Sequence, residues 1–183
     1  MALSHFPARM SLVGRAGAAA GIARPAPEPA PAAGPGWKPR SLDTLCGVAS
    51  RPALLQRLDT VGLLAPTAPL SFLVVKVEDL ATLNREAGPR VGDAALREVA
   101  SLVRAYTRAT DSVGRLTGAS FGVVLQGTGA VGAGAVAARL GHYLSQLYVD
   151  GHRVITTVAV ATGKGINAEV LPAAAADAIE SPG

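Results

Sequence analysis

The stretch Phe72-Leu73-Val74-Val75-Lys76-Val77 constrains the fold most, because it holds one charge among six residues and reads as a buried strand. Two further apolar runs behave alike. Asp111–Leu116 and Phe121–Gln126 read as a hairpin turning at Thr117–Ser120, and Val154–Ala161 reads as another strand. Helical spacing fills the gaps. A helix opens at Ser50 or Arg51 with Leu54, Leu55, Leu58 and Leu63, and a short one runs through Leu80, Leu83 and Ala87 to stop at Gly88-Pro89. From Gly92 to Thr107, Ala95, Leu96, Val99, Leu102, Val103 and Tyr106 recur at three- and four-residue steps. A Gly-rich loop over 127–133 leads to a helix near 134–148, and 169–180 forms a last, alanine-rich helix. Strands and helices mixed in this order predict one α/β domain of sandwich type, with helices packed on a central sheet.

Residues 1–40 have a different texture. They hold seven of the 13 prolines and eleven alanines, too little apolar bulk to offset chain entropy, and are expected to be a disordered tail preceding a domain at 41–183. Arg15 interrupts the only apolar run that resembles a targeting signal. The tail also carries the whole excess of positive charge: five Lys/Arg against Glu28, with twelve of each sign in the remainder. A nucleic-acid interface needs a basic face on the folded part, and none is offered. No run reaches the length of a membrane span. The single cysteine, Cys46, excludes an internal disulfide and fits a reducing compartment, and the domain is expected to be cytoplasmic. His5, His142 and His152 lie far apart with no ligand at zinc spacing, so no metal site is expected. Gly127-Thr128-Gly129-Ala130-Val131-Gly132 fits a dinucleotide-loop spacing but reads as an ordinary turn into a helix. Trp37 in the tail is either a docking anchor or inert.

Over residues 41 to about 180 the chain resembles the GGDEF domain, the diguanylate cyclase fold that joins two GTP molecules into cyclic di-GMP. Four blocks carry the resemblance in order. Asp43-Thr44-Leu45-Cys46-Gly47-Val48-Ala49-Ser50-Arg51 matches the opening signature. Lys76 through Asp93 matches the block that ends in Gly-Asp, and Arg115 through Phe121 matches the signature hairpin. Val154 through Ala161 matches the late strand. The resemblance implies a nucleotidyl-cyclase-like α+β sandwich, with a mostly antiparallel central sheet flanked by helices.

The resemblance also implies losses. The family's metal-holding Asp and signature acids fall on Lys76, Ala119 and Ser120, within a turn that reads Thr117-Gly118-Ala119-Ser120-Phe121. Its phosphate-holding Lys falls on Ala81, and a late Tyr-x-Ala-Lys segment has no counterpart in the 183 residues. Attack of a ribose hydroxyl on an α-phosphate needs a divalent cation to neutralise the developing charge. An ammonium where a carboxylate should stand reverses that interaction, a difference of several kcal/mol at ~4 Å. The expectation is therefore no cyclase activity and no cofactor, with Mg²⁺ needed only if activity survives. Lys76 has two readings: a strand-end lysine, or a counter-charge in place of Mg²⁺ that leaves Asn84 and Asp93 docking GTP. Asn84 alternatively caps a turn, and Asp93 caps the helix that starts there.

What the resemblance leaves whole is Arg108-Ala109-Thr110-Asp111, an Arg-x-x-Asp site five residues before the turn, where such domains bind cyclic di-GMP. A guanidinium donates in parallel to guanine O6 and N7, and an aspartate accepts from N1–H and the exocyclic amine. The alternative is a surface ion pair at the helix end. Arg139 matches the secondary arginine that a neighbouring domain supplies in the family. The implied protein is an inactive cyclic di-GMP effector or scaffold, working through a homodimer or a protein partner. The rivals are a residual cyclase and a ligand-free docking module.

Overall fold

The computed structural model describes residues 11–12 and 41–180. Its strands are β1 (Ser11–Leu12), β2 (Pro69–Val77), β3 (Ser112–Arg115), β4 (Ser120–Gln126), β5 (Tyr148–Val149), β6 (His152–Arg153) and β7 (Thr156–Lys164). Its helices are α1 (Arg51–Leu64), α2 (Leu80–Ala87), α3 (Pro89–Ala105), α4 (Ala130–Leu144) and α5 (Leu171–Glu180), the last entered through a 3₁₀ turn over Gly165–Val170. Five strands form one sheet in the order β1-β7-β2-β4-β3, every neighbour antiparallel, while β5 and β6 pair separately.

The central strand explains the layering. Side chains alternate along β2 with period two. Leu70, Phe72 and Val74 enter a core with Leu54 and Leu58 of α1 and Ala175 of α5. Leu73, Val75 and Val77 enter the opposite core with Val99 and Val103 of α3 and Ala133 and Leu140 of α4. Both faces are covered, which is why this strand has almost no polar residue. Phe72 is fully buried, and its truncation to alanine should cost about 3–5 kcal/mol. On the α1 side the backbone comes unusually close. Gly114 and Gly122 pair across β3 and β4, and a Cβ on either would stand 2.8 Å from a Leu54 side-chain carbon. Leu54 thus seats on two glycines and fixes α1 over the hairpin.

Several boundaries differ from the sequence reading. Helix α3 starts at Pro89, three residues before Gly92, because proline at the first turn brings a preset φ and an N–H that would be unsatisfied anyway. Helix α4 starts at Ala130 and takes in Gly132 and Gly134, since Ala133 and Ala137 bury completely against the sheet. Packing overrides the glycine penalty there. The late strand runs Thr156–Lys164, and a small hairpin precedes it. Its turn, Asp150-Gly151, has φ of 48° and 81°, the twist a two-residue hairpin needs. Leu63 is 82% exposed, so the α1 core stripe is Leu54, Leu58 and Val61. Of the 1–40 segment, Ser11–Leu12 lies along β7. The remaining tail residues, with His5, Trp37 and the proline run, lie outside the described residues.

Candidate functional site

Two turns flank β3, and the chain closes them differently. At its C-terminal end Arg115 acts as a staple. Its Nη1 donates to both Asp43 carboxylate oxygens at 3.3 and 3.4 Å, its Nη2 to the Gly118 carbonyl at 2.7 Å, and its Nε to the Thr117 carbonyl at 3.2 Å. Asp43 Oδ1 also accepts the backbone N–H groups of Leu45 and Cys46. Burial pushes the Asp43 carboxyl up, but the Cys46 N–H and the Arg115 charge outweigh it and hold it below its ordinary value. Burial raises the neighbouring Cys46 thiol to about 11, which keeps it protonated and unreactive. Across the turn the Thr117 and Ser120 hydroxyls lie 2.5 Å apart. The Ser120 hydroxyl, which stands at one signature-acid position, is therefore engaged by Thr117 within the turn.

Lys76 stands beside this turn, in register with Ser120, and its Nζ lies 3.4 Å from Glu78 Oε2. The ammonium is thus neutralised by Glu78, the residue just past the end of its own strand. A hard divalent cation takes oxygen ligands, with carboxylates foremost. An ammonium, two hydroxyls bonded to each other and one already paired carboxylate do not fit Mg²⁺. Among the described residues no group of three His, Cys, Asp or Glu side chains is placed to hold a metal.

Asn84 and Asp93 occupy the joint between α2 and α3. The joint bends at Gly88, whose φ is 91°. Asn84 Oδ1 is buried without a hydrogen bond and faces Gly92 so closely that a Cβ there would collide with it. Its side-chain oxygen therefore caps no turn. Asp93 does not cap α3 either: the cap position is Gly88, and Asp93 lies inside the helix with its side chain exposed. The earlier helix start removes that role.

At the N-terminal end of β3 the second turn follows Tyr106, the residue that ends α3. The Arg108 N–H donates to Asp111 Oδ2 at 2.9 Å, and the Asp111 N–H donates back to the Arg108 carbonyl at 3.0 Å. Gln126 Nε2 ties the Thr110 carbonyl at 2.6 Å. Asp111 is thus held by backbone, and no ion pair closes between it and the exposed Arg108 guanidinium. Asp111 Oδ1 is buried with no hydrogen bond. Burial raises its carboxyl, opposed by the backbone amides of Arg108 and Gln126 and by the Arg108 charge.

Arg139 on α4 donates from Nη2 to the Tyr106 carbonyl at 2.8 Å, two residues from Arg108. The Tyr106 and Tyr143 rings stack at 4.1 Å, locking α4 against the end of α3. The bond to Tyr106 places Arg139 near the turn that carries Arg108 and Asp111, and the sequence reading has it as the secondary arginine that bridges to a neighbouring domain. That reading missed Gln126 and Tyr143. Gln126 reads as the last residue of a strand, and Tyr143 has no periodic signal that tells a stacking partner from a surface tyrosine.

An antiparallel sheet with helices on both faces, and a loop corner that carries guanidinium and carboxylate groups, defines an α/β sandwich domain. Residues 40–175 match the family model described as "Diguanylate cyclase, GGDEF domain", and the chain belongs to that family. It is 31% identical over 93 residues to Diguanylate cyclase A of Treponema denticola, a match covering 50% of this chain and 25% of that protein. The chain thus corresponds to about a quarter of that relative's length. Among solved structures it is similar to a sensory box/GGDEF family protein from Caulobacter crescentus, with 26% identity, a TM-score of 0.68, and 76% of this chain and 96% of that one covered. The GGDEF domain of DgcB from Caulobacter crescentus, solved in complex with cyclic di-GMP, shares the fold at 18% identity and a TM-score of 0.68, covering 79% and 90%.

Proposed function

We propose that this GGDEF domain makes no cyclic di-GMP and instead binds it at the turn Arg108–Asp111. The observation that carries the reading is Asp111 Oδ1, a buried carboxylate oxygen without a hydrogen bond beside an exposed guanidinium. A buried acceptor left unsatisfied costs about 1–3 kcal/mol. A guanine edge would relieve that cost, its N1–H and amine donating to Asp111 while Arg108 donates to O6 and N7. The bond from Arg139 to Tyr106 supports adding Arg139 to the same pocket as a counter-charge for the ligand's phosphates. The loss of cyclase chemistry rests on the Lys76–Glu78 pair and the Thr117–Ser120 contact, which leave no carboxylate pair for Mg²⁺. Output then passes through a second copy or a protein partner in the bacterial cytoplasm. No helix among the described residues is long and apolar enough to cross a membrane.

Calorimetric titration with cyclic di-GMP tests this reading. Saturable binding by the wild type, lost in Arg108→Ala, is the expected result; absence of heat from the wild type ends it. One observation favours a second reading. The buried, unpartnered Asn84 Oδ1 suits a guanine donor, so GTP docking without turnover is the companion test. Pyrophosphate release from GTP with Mg²⁺ or Mn²⁺ would overturn the inactive assignment.

A further inference from the structure

The two edges of the sheet are covered unequally. On the outer side of β3, Ala49 donates to the Val113 carbonyl and accepts from the Arg115 N–H, so the segment before α1 closes that edge. Among the described residues, only Ala159 and Val160 of the nine in β7 are paired on its outer side, and their partners are Leu12 and Ser11. An open strand edge is a template for another strand unless charge, proline or a bulge blunts it. Strand β7 carries neither charge nor proline from Thr156 through Gly163, and Lys164 is its last residue.

We propose that the outer edge of β7 is a self-pairing surface for a second copy of this chain, and that the strand Ser11–Leu12 is the guard that blocks it. The register supports this occupant. Val160 is the midpoint of Thr156–Lys164, so two copies of β7 run antiparallel about it would set Thr156 opposite Lys164, Thr157 opposite Gly163, Val158 opposite Thr162 and Ala159 opposite Ala161. No like charges face each other, and the contact closes on a twofold axis, as an isologous dimer requires. The guard sits on that midpoint, because Ser11 and Leu12 pair with Val160 and Ala159. Two ladder positions in one chain thus hold off nine between two chains.

The test uses the full chain with Ser11→Pro and Leu12→Pro together, since whichever of the two faces β7 then loses its N–H. Sedimentation velocity from micromolar to submillimolar protein is read beside hydrogen exchange of the 156–164 peptide, without nucleotide. The wild type should stay monomeric with that peptide protected. The variant should lose protection when dilute, then form a dimer that restores it. Adding Thr156→Lys puts a lysine directly opposite Lys164 of the other copy at both ends of the paired strands and should abolish the dimer, with an unchanged circular dichroism spectrum excluding misfolding. A variant that stays monomeric throughout, a wild type that dimerises equally, or a dimer that survives Thr156→Lys overturns the proposal. Because nucleotide is absent, failure here leaves the cyclic di-GMP reading untouched.

Discussion

The two ends of β3 carry the same pair of residue types, an arginine and an aspartate, and use them in opposite ways. At the signature turn Arg115 gives its guanidinium to Asp43 and to two turn carbonyls. At the other end Asp111 is held by the backbone of Arg108, the guanidinium points to solvent, and one carboxylate oxygen is buried without a hydrogen bond. The first turn is satisfied internally and has nothing to offer a ligand. The second has an exposed donor and an unmet acceptor in one corner. Which residues are present matters less than whether their hydrogen-bonding capacity is already used.

The sharpest way to break this contrast is to remove each arginine in turn. Arg108→Ala should weaken cyclic di-GMP binding roughly 100-fold, the loss of charge-assisted bonds worth about 2–3 kcal/mol, with thermal stability nearly unchanged. Arg115→Ala should do the reverse. It leaves Asp43, a mostly buried carboxylate, without its counter-charge and should lower unfolding free energy by about 2 kcal/mol while sparing ligand affinity. Calorimetry and chemical denaturation on both variants separate the two roles. If Arg115→Ala lost the ligand as fully as Arg108→Ala, the division between the two ends would collapse.

Acidification should act on the same contrast through the two aspartates. Asp43 has its carboxyl lowered by folding, so its contribution to stability is complete above the ordinary value of 3.8 and fades only as pH falls beneath that. Asp111 has its carboxyl raised, so its ionisation opposes folding as pH rises through that higher value. The ligand needs the ionised form. Affinity for cyclic di-GMP should therefore fall on acidification while the Asp43 staple still holds, with calorimetry and thermal melts recorded along one pH series. Loss of binding and melting at a common pH would refute the separation.

The sequence carried the layers of this fold because its periodicities are strong. The apolar run of β2 and the stripe of α3 mark a doubly covered strand and a surface helix without ambiguity. The small hairpin at 148–153 escaped because its strands are two residues long, too short for any pattern, although Asp150-Gly151 was a legible turn. At the site the motif register pointed to Arg108 and Asp111, but the unmet Oδ1 is a property of burial that no linear pattern encodes. Arg139 was legible as an arginine at the right spacing. Its bond to the Tyr106 carbonyl depends on the angle at which α4 crosses the end of α3, and that angle follows from side-chain packing rather than sequence order.

The smallest expected effect tests whether the signature turn is as self-contained as its bonds imply. Ser120→Ala removes one side of the 2.5 Å contact with Thr117, yet the Thr117 side chain is exposed and water replaces the lost partner. The cost should be about 0.5–1 kcal/mol. Arg115 still grips the Thr117 and Gly118 carbonyls, and the backbone bonds from Leu116 and Thr117 to the Ser120 carbonyl remain. The Lys76–Glu78 pair draws on neither hydroxyl, so Ser120→Ala should leave ligand affinity unchanged. A loss well above 1 kcal/mol, measured by urea denaturation, would mean that the hydroxyl pair and not Arg115 holds the turn shut.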